Sequence, residues 1–143
     1  HFRRVVATAK RLAESEGAKL EVVIPAAWLH DFVIVPKNDP RRSQASRLSA
    51  QAAIGFLRAS GYPADDFDEI AHAIEAKTLE AKIVQDADRL DGLGAIGIAR
   101  CFATAGLMGR AFYGEQDPFC EMRTPDDQLF TIDHFYKKLF RTA

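Results

Sequence analysis

The sequence predicts an all-α fold, an irregular single-domain bundle of about five or six helices, and three observations carry that prediction. Apolar residues recur at spacings of three and four through most of the chain. No pair of alternating segments, internal repeat or glycine-rich phosphate loop interrupts them. With 143 residues, at roughly 100 to 200 residues per domain, the chain suffices for one core.

Phe2, Val5, Val6, Ala9, Leu12 and Ala13 define a first helix, with Gly17 placed as its left-handed terminator. Leu20, Val23, Ile24, Ala27 and Trp28 form a second, leading to His30 and Asp31, with Pro25 either kinking it or starting its last turns. Pro36, Asn38, Asp39 and Pro40 make residues 32–42 a loop. A third helix begins near Ser43, shows Ala45, Leu48, Ala52, Phe56 and Ala59 on one face, and ends at Gly61, Tyr62 and Pro63. Asp65 or Asp66 caps a fourth that turns Phe67, Ile70, Ala71 and Ile74 inward. Read literally, the pattern then runs unbroken to about Ala105, far beyond the roughly 25 residues at which an uncapped periodic run becomes suspect in a small domain. The expectation is that residues are missing between Ala76 and Lys77. Gly114, Pro118 and Pro125 place a long loop over residues 113–128, and a last helix starts near Leu129.

Composition narrows the function. Lys plus Arg number 19 against 20 for Asp plus Glu, a net charge of -1, so no global field gathers a nucleic-acid polymer or an anionic membrane. The longest apolar stretch, Val22 to Leu29, is broken by Pro25 and is far short of the roughly 20 residues of a membrane span. Neither a nucleic-acid polymer nor a membrane is therefore an expected partner. Cys101 and Cys120 form no CxxC pair and exclude a disulfide scaffold, which fits a cytoplasmic location. The chain opens at His1 and stops at Ala143 within an amphipathic pattern that includes Phe135, Tyr136 and Phe140, so it reads as a fragment truncated at both ends.

Two places could carry chemistry. His30 and Asp31 follow the apolar run Ala26 to Leu29, and adjacent helical residues point about 100° apart, so both reach one ion only near a helix end. Taken alone, the dipeptide favours a histidine stabilised by the helix dipole beside a capping aspartate. The second place is Gln85 to Asp91, with three carboxylates and Arg89 in an otherwise apolar, glycine-rich helix. Asp88 and Asp91 share a face there, and Asp86 lies on the other side. A solvated face competes with a metal or phosphate site, but the flanking Ile83, Val84, Leu93 and Ile96 favour the site.

In order, His1-x-x-Arg4-Val5, His30-Asp31 and Ala87-Asp88-Arg89-Leu90 resemble the H, HD, D pattern of the HD-domain metal-dependent phosphohydrolases. The string QDADRLDGLGAIGIAR, Gln85 to Arg100, is similar to their small stand-alone bacterial branch, and the likeness runs from His1 to about Tyr136. The resemblance implies an all-α fold in which two histidines and two aspartates hold one divalent ion. Carried over by position, the ligands are His1, His30, Asp31 and Asp88, with Asp86 a rival for Asp88. Such a set suits Mn, Mg, Fe, Co, Ni or Zn, and leaves room for water and a phosphate oxygen. The ion would then generate the nucleophile and polarise the phosphoryl group, with no side-chain nucleophile needed.

A basic stretch, Lys37, Arg41, Arg42 and Arg47, follows the HD pair; Lys37 and Arg41 from it are expected phosphate-binding residues, each balanced by a reading as a plain solvated charge, and Arg89, beside Asp88, is a better candidate. Asp91 could orient a ligand, accept a proton or pair locally. His72 is a catalytic candidate because relatives carry a further histidine shortly afterwards that is absent here; its plainer role is a helix-flank histidine. His134 reads as structural, and Phe112, Tyr113, Phe119 and Phe130 as core or interface aromatics. The expected function is hydrolysis of a small phosphorylated substrate, a nucleoside triphosphate or deoxynucleotide. A guanosine polyphosphate hydrolase and a non-catalytic metal- or nucleotide-binding module are the alternatives. A homodimer is left open.

Overall fold

The computed structural model of the chain describes residues 1–36, 39–75 and 77–142. Among the described residues it is all-α with no strand, as the periodicity predicts, and has seven α-helices where about five or six were expected. Its contacts divide into two compact units, His1–Asp88 and Arg89–Ala143.

In the first unit, α1 (Phe2–Glu16) buries Val5, Ala9 and Ala13, spaced four apart and fully shielded from solvent. Gly17 ends it at φ 70°, and its N–H donates to the Ala13 carbonyl, the left-handed terminator that the sequence predicts. The second helix, α2 (Leu20–Leu29), is the unit's central one, with six of its ten residues buried. Pro25 lies inside it and cannot donate to the Glu21 carbonyl one turn back; the Tyr62 hydroxyl donates to that carbonyl instead, at 3.3 Å. The helix runs on past Pro25 to His30.

A 3-10 turn at Arg42–Gln44 leads into α3 (Ala45–Ala59), which buries Ser49, Ala50, Ala53 and Leu57. It packs on α4 (Phe67–Glu75), which buries Phe67, Ile70, Ala73 and Ile74 and also touches α2. From α5 (Leu79–Asp91), Ile83, Val84 and Ala87 complete one apolar cluster with these side chains. Trp28, in the apolar run before His30, is 43% exposed and stands outside that cluster.

Residues 65–105 form three helices, not the single long one of the literal pattern. The signal passed over is Thr78, whose hydroxyl accepts from the Ala81 N–H at 3.1 Å and caps α5. The junction between Ala76 and Lys77 lies outside the described residues. A second break, at Gly92 and Leu93, precedes α6 (Gly94–Leu107) in the second unit. A Cβ at Gly97 would stand 2.1 Å from the Gly92 carbonyl oxygen, so this corner closes only on glycine.

The rest of the second unit is held by polar groups. Asp117 accepts from the backbone N–H groups of Glu121, Met122 and Arg123 at 2.9 to 3.1 Å. Arg123 lies over the Phe130 ring and grips the fully buried Asp133, with Nη2 to Oδ1 at 2.9 Å. The helix expected from Leu129 starts later, because the Thr131 and Ile132 N–H groups are committed to the carbonyls of Ala111 and Phe112. Helical structure then consists of a π-helical turn, Phe135–Leu139, and α7 (Phe140–Thr142). Asp127 accepts from His134 at 2.9 Å and pairs with Lys137 at 2.8 Å, the structural role expected of His134. Cys101, expected in the buried stripe, is half-buried. No single helix among the described residues is long and apolar enough to cross a membrane.

Candidate metal centre

The first unit brings four sequence-predicted side chains to one place. His1 caps α1, His30 caps the C-terminus of α2, Asp31 opens the following turn, and Asp88 lies on α5. His1, His30 and Asp31 each offer a donor atom within 4.8 Å of the others. Asp88 Oδ1 stands 3.4 Å from His1 Nε2 and 3.8 Å from His30 Nε2, and Asp31 Oδ2 is 3.7 Å from His30 Nε2. Donors each about 2.0 to 2.2 Å from a single ion lie no more than about 4.4 Å apart, and the carboxylate-to-imidazole separations of 3.4 to 3.8 Å fall within that limit.

His30 makes the strongest argument. Its Nδ1 donates to the Ala27 carbonyl at 2.9 Å, one turn back on α2, which leaves Nε2 as the lone-pair nitrogen. That Nε2 is buried and has no hydrogen-bond partner among the described residues. A buried nitrogen without a partner costs free energy, and a cation is the partner that two neighbouring carboxylates and a second imidazole are built to hold. Burial works against the charged form of His30, but the Asp88 carboxylate, the Ala27 carbonyl and Asp31 outweigh it and raise its pKa. At 3.8 Å Asp88 is beyond hydrogen-bonding range, so it acts on His30 through its charge.

A cavity of about 350 Å³ adjoins the cluster, lined by His30, Asp31 and Asp88 together with Arg42, Ser43, Ser46 and Gln85. Ile74 and Val84 form an apolar part of its wall. Val84, Gln85 and Asp88 stand there together because positions four, three and zero share a face of α5. Asp86 points elsewhere, is exposed and does not line the cavity.

The other expected residues fall outside this cluster. Arg41 is two-thirds exposed, and its guanidinium and backbone N–H are both spent on Asp39, whose pKa these bonds bring down to about 2. Lys37 lies outside the described residues. His72 is exposed on α4, with Nδ1 donating to the Asp68 carbonyl at 2.6 Å, and is absent from the cavity wall. Arg89 and Asp91 belong to the second unit, where Asp91 pairs with Arg100 at 2.6 Å, the local pairing that was its alternative reading. Sequence reasoning undervalued Arg42. Its signal was position: Arg41, two residues after Asp39, is the arginine that the acid captures, and Arg42 begins the turn into α3.

Comparison with known proteins bears on the whole chain. The profile of the HD domain matches residues 1–93. The chain is 34% identical over 154 residues to the uncharacterized protein YpgQ of Bacillus subtilis (strain 168), covering 99% of this chain and 67% of that protein. Among solved structures, it is similar to Bacillus subtilis YpgQ in complex with ADP, at a TM-score of 0.75 and 37% identity over 99% of this chain and 68% of the other. It is also similar to a HD-superfamily hydrolase from Bacillus thuringiensis, at a TM-score of 0.74 and 33% identity with the same coverage.

Proposed function

The chain belongs to the HD-domain family of metal-dependent phosphohydrolases, and from that premise we propose that it hydrolyses a nucleotide, a nucleoside triphosphate or deoxynucleotide, at the centre formed by His1, His30, Asp31 and Asp88. The observation that carries this reading is the buried, unpartnered His30 Nε2 facing the Asp88 carboxylate and aligned by Ala27. The donor set of two imidazoles and two carboxylates suits a borderline-to-hard divalent ion, with Mn, Mg, Fe, Co, Ni and Zn as candidates. An ion held by these residues would acidify a water and draw charge from the phosphoryl group.

The protein's own residues do the rest. The Ala27 carbonyl fixes the His30 tautomer, so the ring presents a lone pair to the ion and not a proton. Asp31 and Asp88 offset the cation's charge, and the cavity beside them holds the remainder of the substrate. The ADP bound to the Bacillus subtilis relative supports a nucleotide as the ligand class.

The test is chelator-stripped protein reloaded with Mn or Mg and assayed for phosphate and pyrophosphate release over a panel of ribo- and deoxynucleotides, with a guanosine polyphosphate included. Turnover that appears only with added metal is the expected result. A protein that binds metal and turns over nothing on the panel would contradict the proposal and favour a nucleotide-binding module.

A further inference from the structure

The wall of the cavity next to the metal centre carries one cationic side chain among the described residues, and it is Arg42. We propose that Arg42 binds a phosphate of the substrate other than the one attacked, so that the site selects molecules with at least two linked phosphates. This rests on the metal-centre reading above, which puts the attacked phosphate beside His30 and Asp88.

Arg42 is held for this role. Its Nη1 donates to the Val35 carbonyl at 2.7 Å, and that bond uses one of the five N–H donors of a guanidinium. The backbone of the loop therefore fixes one edge of the fork and leaves the planar group at the cavity wall, where it can take a phosphate with two parallel bonds. Neighbouring Arg41 does not substitute, because its guanidinium is turned onto Asp39 and does not line the cavity. Ser43 and Ser46 line the same wall, within about one helical turn of Arg42.

Charge makes the same demand. One divalent ion next to Asp31 and Asp88 is largely balanced by those two carboxylates before any substrate arrives. A substrate bringing a second phosphate adds negative charge that the metal centre does not offset, and Arg42 supplies the compensation from within the same cavity. A phosphate monoester has nothing to place there.

The experiment compares wild type, Arg42→Ala, Arg42→Lys and, as a control, Lys10→Ala, which removes an exposed cation on α1. Three readouts are taken: Mn content, the dissociation constant of inorganic tripolyphosphate by calorimetry, and kcat and KM for a nucleoside triphosphate. Arg42→Ala should keep its Mn, weaken tripolyphosphate ten- to hundredfold, roughly the worth of a charge-assisted pair, and raise KM more than it lowers kcat. Arg42→Lys should recover part of the loss, and Lys10→Ala should match wild type. Tripolyphosphate binding and KM unchanged in Arg42→Ala would overturn the proposal. If wild type takes up no Mn and hydrolyses nothing, the metal-centre reading fails by itself, and tripolyphosphate affinity, which needs no turnover, still decides for or against Arg42.

Discussion

The two units are stabilised in opposite ways. From His1 to Asp88, side chains such as Val5, Val22, Val23 and Ile70 are wholly shielded from water within one continuous apolar cluster. From Arg89 onward, Leu107 and Met122 are each 91% exposed, and the large fully buried side chains are the polar Thr131 and Asp133. Where an apolar cluster fixes the backbone, a polar atom can be left without a partner, as His30 Nε2 is, because surrounding packing carries the cost. Where ion pairs do the holding, as between Arg123 and Asp133, the buried carboxylate has both oxygens already committed. The candidate metal centre lies in the unit that packing can hold open.

This contrast predicts a graded series of effects. The largest belongs to the metal ligands: Asp88→Asn and His30→Ala should each lower metal affinity by more than about 100-fold and bring turnover to background, while the far-ultraviolet dichroism stays that of the wild type. Next is Ile70→Ala, which empties a fully buried site in the apolar cluster and should cost about 3 kcal/mol in denaturant unfolding. Retained stability there would show that the cluster is not what holds the first unit.

Asp133→Ala, in the second unit, breaks a buried pair whose arginine keeps partial access to water, and about 2 to 3 kcal/mol should be lost. Hydrogen exchange should quicken from Asp117 to Phe140, and metal affinity should not change. The smallest effect is one of pH. Burial would raise the Asp127 carboxyl, but Lys137 and His134 overcome it and hold its pKa down at about 2, below its ordinary 3.8. A carboxyl lowered on folding stabilises the fold above its unfolded pKa and loses that contribution as pH falls through the folded one. Acidification from pH 4 to pH 2 should therefore loosen the second unit, and Asp127→Asn should flatten that dependence.

The same contrast explains what could be read from the sequence. The helices of the first unit follow from apolar spacing, and Gly17 marks the end of α1 because a left-handed residue is cheap only for glycine. The four candidate ligands were legible by their motif, and their proximity at the end of α2 agrees with the geometric condition that adjacent His30 and Asp31 impose. The interruption between α4 and α5 was expected as residues missing between Ala76 and Lys77 and not as a cap, because one threonine is a weak signal inside a strong apolar period. The start of the last helix was misplaced because hydrogen bonds from Thr131 and Ile132 to Ala111 and Phe112 join segments some twenty residues apart, which no local pattern shows. Arg41 and Arg42 look alike in sequence, and only the capture of Arg41 by Asp39 separates them.

The most direct test of the central claim is calorimetric titration of chelator-stripped protein with Mn, for wild type and for Asp88→Asn, with nucleoside triphosphate hydrolysis followed in the same samples. One ion per wild-type chain is expected, with hydrolysis rising in step with occupancy, and neither in the variant. Wild-type affinity and turnover in Asp88→Asn would contradict the claim.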